Sequence, residues 1–280
     1  MDYQGYKALR VSVDEGIARV VIDHPPINLF DSVLIVEMDR VGRALENDPD
    51  VRVVVVESAD PVFFIAHADV NLILGLPIGG APPSEPSFFQ QMVDRFRTMP
   101  KATIAKLEGI CRGGGSELAL SMDMRFAALD RAVLAQPEVA VGIIPGGSGT
   151  QRLPRLLGRS RALEIALGAD DFPADLAERY GYVNRALPAA ELGPFVERLA
   201  HRIASFPPAA VAHAKASVLA ADTNMREGLI AEARAFDACV ALPEARQRMT
   251  AFLAMGGQTR ELESQSGAFE SIEVGVEPDG

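Results

Sequence analysis

The chain has 280 residues, 48% of them hydrophobic, enough to bury a sizeable core in one domain plus a helical appendage instead of two equal domains. Its 38 acids against 27 bases leave a net charge of −11, which argues against nucleic acid or an anionic membrane surface as a partner. Cys111 and Cys239 are too sparse for a disulfide framework and form no CxxC metal pair, so a reducing cytoplasm is the default; no basic-then-apolar leader opens the chain, and no run reaches the ~20 apolar residues that span a bilayer.

Leu9 to Val13 and Ile17 to Ile22 alternate apolar with polar or small residues around Asp14-Glu15-Gly16, which predicts a β-hairpin. Leu34, Met38, Val41 and Leu45 then recur at helical spacing, with Asp31 or Ser32 as N-cap and Asp48-Pro49-Asp50 as the stop. Val51 to Val56 is a short buried strand, and the succession points to ββα or βαβ units. The Pro- and Gly-rich stretch Gly75 to Pro86 leads into Phe88, Met92 and Phe96, again at helical spacing. It reads either as a surface loop before a core-packed helix or as a lid over a pocket. Ala102 to Leu107 and Arg125 to Ala128 are later strands of the same core. Beyond Asn184 the strand signals fade, and residues 189–204, 208–220, 225–241 and 243–255 read as helices, two of them opening with proline in the first turn. From Gly257 to Gly280 six acids face Arg260 alone, the composition of a mobile acidic tail.

Two carboxylates stand in unusual settings. Glu117 follows Gly113-Gly114-Gly115, a run that turns without Cβ clashes and bares amide N–H groups at the start of a helical pattern. Bared donors of this kind hold a developing oxyanion. Glu138 closes Gln136-Pro137-Glu138. Taken singly, Glu117 is explained as a first-turn acid that complements the helix dipole, and Glu138 as an exposed turn carboxylate.

Taken together they sit inside a longer pattern. Lys101 through Leu120 and Gln136 through Leu153, with Phe64 to Asp69 upstream and Ala177 to Arg185 downstream, resemble the crotonase, or enoyl-CoA hydratase/isomerase, superfamily over roughly residues 5 to 255. The resemblance implies an α/β fold: a crotonase-like spiral of ββα units over residues 1–188, a helical region at 189–256 that caps the site and builds trimers or paired trimers, and the acidic tail at 257–280. It assigns the amides of Ala68 and Gly114 as the two oxyanion donors. With Gly114, the segment Ala66, His67, Ala68, Asp69, Val70 and Asn71 would follow the CoA moiety. Glu117 becomes the base that activates water for attack at Cβ, and Glu138 the acid that exchanges a proton with Cα, both holding the same water.

The implied reaction is hydration of a trans-2-enoyl-CoA in fatty acid metabolism, with no metal and no cofactor beyond the CoA carried by the substrate. Δ3-Δ2 isomerisation and decarboxylation use the same oxyanion hole, and a non-catalytic acyl-CoA binder would keep the site without turnover. His67 stands where relatives commonly carry glycine; an imidazole there narrows the CoA channel, contacts a phosphate or points to solvent. The run Gly146 to Thr150 lacks the lysine of a phosphate loop and the last glycine of a nucleophile elbow, so it reads as a turn before the helix at Gln151, close enough to touch the acyl chain. His24, His201 and His213 share no metal-ligand spacing, and Arg112 and Arg152, flanking turns, read as solvated.

Overall fold

The computed structural model describes residues 1, 3–79, 81–222 and 224–265. The hairpin is present: β1 (Leu9–Asp14) and β2 (Ile17–Ile22) pair antiparallel in the register Leu9↔Ile22 to Asp14↔Ile17. Helix α1 (Ser32–Asn47) starts where the Asp31 carboxylate accepts the Val33 and Leu34 amides, both at 2.9 Å, satisfying donors the helix itself leaves open.

The chain then makes three passes with one plan: a strand in a large sheet, a three-residue strand in a small one, then a helical segment. The first pass is β3 (Val53–Ser58), β4 (Phe63–Ile65) and α2 (Val70–Leu74), followed by α3 (Phe88–Thr98) with its Ser87–Gln90 capping box. The second is β5 (Ala102–Leu107), β6 (Ile110–Arg112) and α4 (Gly114–Ser121). The third is β7 (Met124–Ala128), β8 (Val133–Ala135) and a 3₁₀ turn (Glu138–Val141), followed by α5 (Gly149–Leu157) and α6 (Arg159–Gly168). Then come β9 (Phe172–Pro173), α7 (Ala174–Tyr180), β10 (Arg185–Leu187) and the helices α8 (Ala189–Ala204), α9 (Pro208–Leu219), α10 (Met225–Val240), α11 (Pro243–Ala254) and α12 (Arg260–Glu263). Among the described residues the large sheet runs β1-β2-β3-β5-β7-β10, parallel from β2 onward, and the small sheet runs β4-β6-β8-β9. The expected spiral of ββα units is what forms.

Parallel strands must be covered on both faces, and the valines of β3 show how. Val54 and Val56 pack with Leu34, Met38, Val41 and Leu45 of α1, while Val53 and Val55 pack with Leu192, Val196, Ala200 and Ala204 of α8. Helix α8 therefore belongs to the sheet's own core, and the boundary expected at residue 188 is no break in packing. The expected mobile tail from residue 257 is likewise corrected over its first part. Gly257 to Gln265 fold back as a turn and α12, and Glu263 is fully buried; residues 266–280 lie outside the described residues. No helix among the described residues is long and apolar enough to cross a membrane.

Candidate active site

Three strands of the small sheet set the site. Strands β4, β6 and β8 run parallel and adjacent, in the register Ile65↔Cys111 and Arg112↔Ala135, so the segments that leave their carboxyl ends emerge side by side. Those segments are Ala66 to Ala68, Gly113-Gly114 and Gln136 to Glu138, the stretches the sequence singles out. Sheets of this kind bind ligands beyond the carboxyl ends of their strands.

The glycine run is demanded at two of its three positions. Gly113 has φ +50° and donates to the Ala135 carbonyl at 3.0 Å, while a Cβ on Gly115 would lie 2.6 Å from Ile65 Cβ and 2.8 Å from its carbonyl oxygen. These contacts seat α4 directly on β4. At Gly114 a Cβ would meet Phe89 Cζ at 3.2 Å and Ala68 Cβ at 3.5 Å, which places Ala68 and Gly114 against each other. Phe30 holds the Ala68 segment from the other side, its N–H donating to His67 O at 2.9 Å and its carbonyl accepting from the Asp69 amide at 3.0 Å. Among the described residues the Ala68 and Gly114 amides have no acceptor in the protein.

Glu117 and Glu138 line one cavity of about 490 Å³ together with His67, Ala68, Val70, Gly113 and Gly114. Its walls are largely apolar, among them Ile35, Phe88, Phe89, Val141, Ile143 and Phe236. Phe88 and Phe89, the first residues of α3, wall the cavity, while Met92 and Phe96 of the same helix pack in the core. A second cavity, of about 540 Å³, lies between α9 and the large sheet; Lys215 pairs there with Asp123 at 2.9 Å, and it holds neither glutamate.

Both acids are buried, Glu117 at 3% and Glu138 at 9% exposure. Glu117 Oε1 accepts the Gly147 amide at 2.7 Å and the Gly149 amide at 2.8 Å, so the Gly146 to Thr150 run is the cradle of the first carboxylate as well as the turn into α5. With its amide nitrogen turned toward Glu138, Gln136 donates to both oxygens at 3.2 Å and accepts from Ser116 Oγ, an orientation assigned from this network. Ser116 in turn bonds Tyr182 Oη at 2.6 Å. Burial pushes Glu117 up to about 8, the Glu232 charge adds to this, and the two amides oppose it. Burial and then the Glu117 charge push Glu138 well above the usual carboxylate range. Neighbouring carboxylates of this sort release their protons as a set.

The expected CoA-binding segment divides. His67, Ala68 and Val70 line the cavity. Ala66 packs away from it with Ile27, Phe63 and Ile110, Asp69 caps α2 and accepts Gln258 Nε2 at 2.9 Å, and Asn71 is exposed on α2. The His67 ring neither faces solvent nor lies open to a phosphate: Nε2 pairs with Glu263 Oε1 and Nδ1 with the Ala68 carbonyl, both at 2.8 Å, under the edge of Phe252. The two arginines expected in solvent are buried. Arg112 grips Asp171 with two bonds of 2.7 Å, and Arg152 bonds Asp94 at 3.0 Å and Ser148 Oγ at 2.7 Å.

One acid escapes the sequence reading. Glu232 on α10 is 2% exposed and close enough to Glu117 to act on it. The available signal is its place on the buried stripe Leu229, Glu232, Ala233, where the helical period calls for an apolar side chain.

Two amides without a protein acceptor and two buried carboxylates thus border one largely apolar cavity, the arrangement the resemblance to the crotonase superfamily leads one to expect. A family profile described as enoyl-CoA hydratase/isomerase matches residues 12–258. The crotonyl-CoA hydratase of Syntrophomonas wolfei is 35% identical over 250 residues, covering 89% of this chain and 95% of that protein. The short-chain-enoyl-CoA hydratase of Clostridium acetobutylicum is 34% identical, covering 85% and 91%. A crystal structure from Streptomyces avermitilis, described as a candidate enoyl-CoA hydratase, superposes with a TM-score of 0.89 at 41% identity, covering 96% of this chain and 99% of that one. The chain belongs to the enoyl-CoA hydratase/isomerase family of the crotonase superfamily.

Proposed function

We propose that this enzyme adds water across the double bond of a trans-2-enoyl-CoA. In this reading the thioester oxygen accepts hydrogen bonds from the Ala68 and Gly114 amides, and the amino end of α4 adds its dipole where enolate charge develops. Glu117 takes a proton from water as the oxygen attacks Cβ, the π electrons move onto the thioester, and Glu138 delivers a proton to Cα. Passing the Glu117 proton to Glu138 restores the starting state. The mechanism begins with one of the two acids charged and the other neutral, the state that two buried, mutually repelling carboxylates favour.

The observation that carries the proposal is that both acids share one cavity with both open amides. A double-bond isomerase needs one acid, so a second in the same cavity favours hydration. The printed activities of the Syntrophomonas and Clostridium relatives point the same way. A panel of short, medium and long trans-2-enoyl-CoA substrates tests it. Glu117→Gln and Glu138→Gln should each lower kcat by about 10²–10⁴-fold with little change in KM. Failure to hydrate any chain length while another acyl-CoA turns over refutes the assignment, and a Glu117→Gln variant that keeps much of its turnover points to an isomerase working through Glu138.

The proposal includes a homotrimer or a dimer of trimers. Leu163, Leu167 and Val218 are 49%, 67% and 72% exposed on α6 and α9, apolar surface that assembly would cover. Light scattering on the purified protein measures it.

A further inference from the structure

The start of α5 lies between two carboxylates. Gly147 and Gly149 donate their amides to Glu117, while the Thr150 hydroxyl donates to Glu232. Between them Ser148 has a φ of 114°. Glu232 also accepts Gln90 Nε2 at 3.0 Å. Gln90 is itself fully buried and fixed, donating to the Leu229 carbonyl at 3.1 Å and accepting the Ser87 amide at 2.8 Å. The turn is thus clamped between an acid that faces the cavity and one that does not line it.

A neutral side chain would meet the same donors at less cost, because burying a carboxylate without a dedicated cation is expensive. Arg152 reaches both acids electrostatically, yet its hydrogen bonds go to Asp94 and Ser148. We propose that Glu232 is a positioning residue for the reaction: holding the Thr150 hydroxyl and anchored by Gln90, it fixes the turn whose Gly147 and Gly149 amides aim Glu117 into the cavity, and it sets a negative charge behind that carboxylate. The assignment rests on the hydratase reading of Glu117.

The charged groups around the pair are few. Glu117 faces Glu138 from the 3₁₀ turn, Glu232 from α10 and Arg152 from α5; His67 and Asp237 line the same cavity. Burial raises Glu232 too, and the Thr150 and Gln90 hydrogen bonds oppose it, while the Glu232 charge raises Glu117. Removing that charge should let Glu117 ionise more readily.

Carbon-13 NMR of the glutamate side-chain carboxyl carbons reads this without turnover, the Glu117 signal being assigned by its loss in Glu117→Gln. In Glu232→Gln the Glu117 midpoint should fall by about 1 pH unit. In the same variant kcat should drop roughly 10–100-fold at unchanged KM. Thr150→Val strips one donor from Glu232 without touching Glu117, and should lower kcat while leaving the midpoint near that of the wild type. If Glu232→Gln does not fold, Thr150→Val and Gln90→Leu decide the matter through kcat at constant KM. A Glu117 midpoint unmoved in Glu232→Gln, or a kcat unmoved in the donor variants, overturns the assignment. A wild-type protein inactive on every enoyl-CoA sinks the hydratase reading instead, and the NMR midpoint still decides the part played by Glu232.

Discussion

At Gly147 one methyl group separates a seated Glu117 from a displaced one. A Cβ there would lie 2.3 Å from Glu117 Oε2 and 2.4 Å from Phe89 Cε1, and both are side-chain atoms that can swing away. Gly147→Ala is therefore expected to fold with a small change in Tm while kcat falls by about 10²-fold, because what moves is the carboxylate proposed to activate water. Gly115→Ala should do the opposite kind of damage. Its Cβ strikes Ile65, backbone included, so α4 cannot stay seated on β4, and urea unfolding should show a loss of roughly 1–3 kcal/mol. The sequence marks the glycine run as special but not which glycine is indispensable, since the obstructing Ile65 comes from another strand. The same holds for the acids: Glu117 and Glu138 announce themselves by their neighbours, whereas Glu232 lies inside an ordinary helical pattern.

At the scale of elements, the long pieces were legible and the short ones were not. The hairpin, α1, the strands of the large sheet and helices α8 to α11 carry enough residues for a hydrophobic period to be counted, and each forms within a few residues of its expected limits. Strands β4, β6 and β8 have three residues each, too few for any period, yet they aim every segment of the site. Helix α12 was hidden by composition, because acidic residues read as solvated until their partners are known. Its Glu263 is pushed up by burial, but His67, the Gln258 amide and Arg112 more than offset that and hold it below the usual carboxylate range. A depressed carboxyl contributes stability that is present above its unfolded value and lost as pH falls through the folded one. Glu263→Gln should cost roughly 1–3 kcal/mol in urea unfolding, because the buried carboxylate that bonds the His67 ring and the Gln258 amide is lost while Arg112 keeps Asp171. Gln258, held at its own N–H by Glu263 and bonded through Oε1 to the Val70 amide at 2.7 Å, should then loosen, and hydrogen exchange at Val70 should quicken.

For the whole molecule the buried acids set a slope of stability against pH. Glu117 moves from an ordinary value of 4.5 to about 8 on folding, so between those values the folded chain binds a proton that the unfolded chain has released. The stability this gives is complete at the acid end and fades as pH rises through about 8, the reverse of what a salt-bridged carboxylate does. Urea unfolding across that window should show wild-type stability declining with pH more steeply than that of Glu117→Gln, and equal slopes would mean that Glu117 is not buried as described. The latch between α12 and the Ala66 to Asn71 loop also has a consequence in time. Translation delivers Val70 188 residues before Gln258, and His67 196 residues before Glu263. A nascent chain thus carries the Ala66 to Asn71 loop without this fastening through most of its synthesis, and the loop can be latched only once α12 has been made.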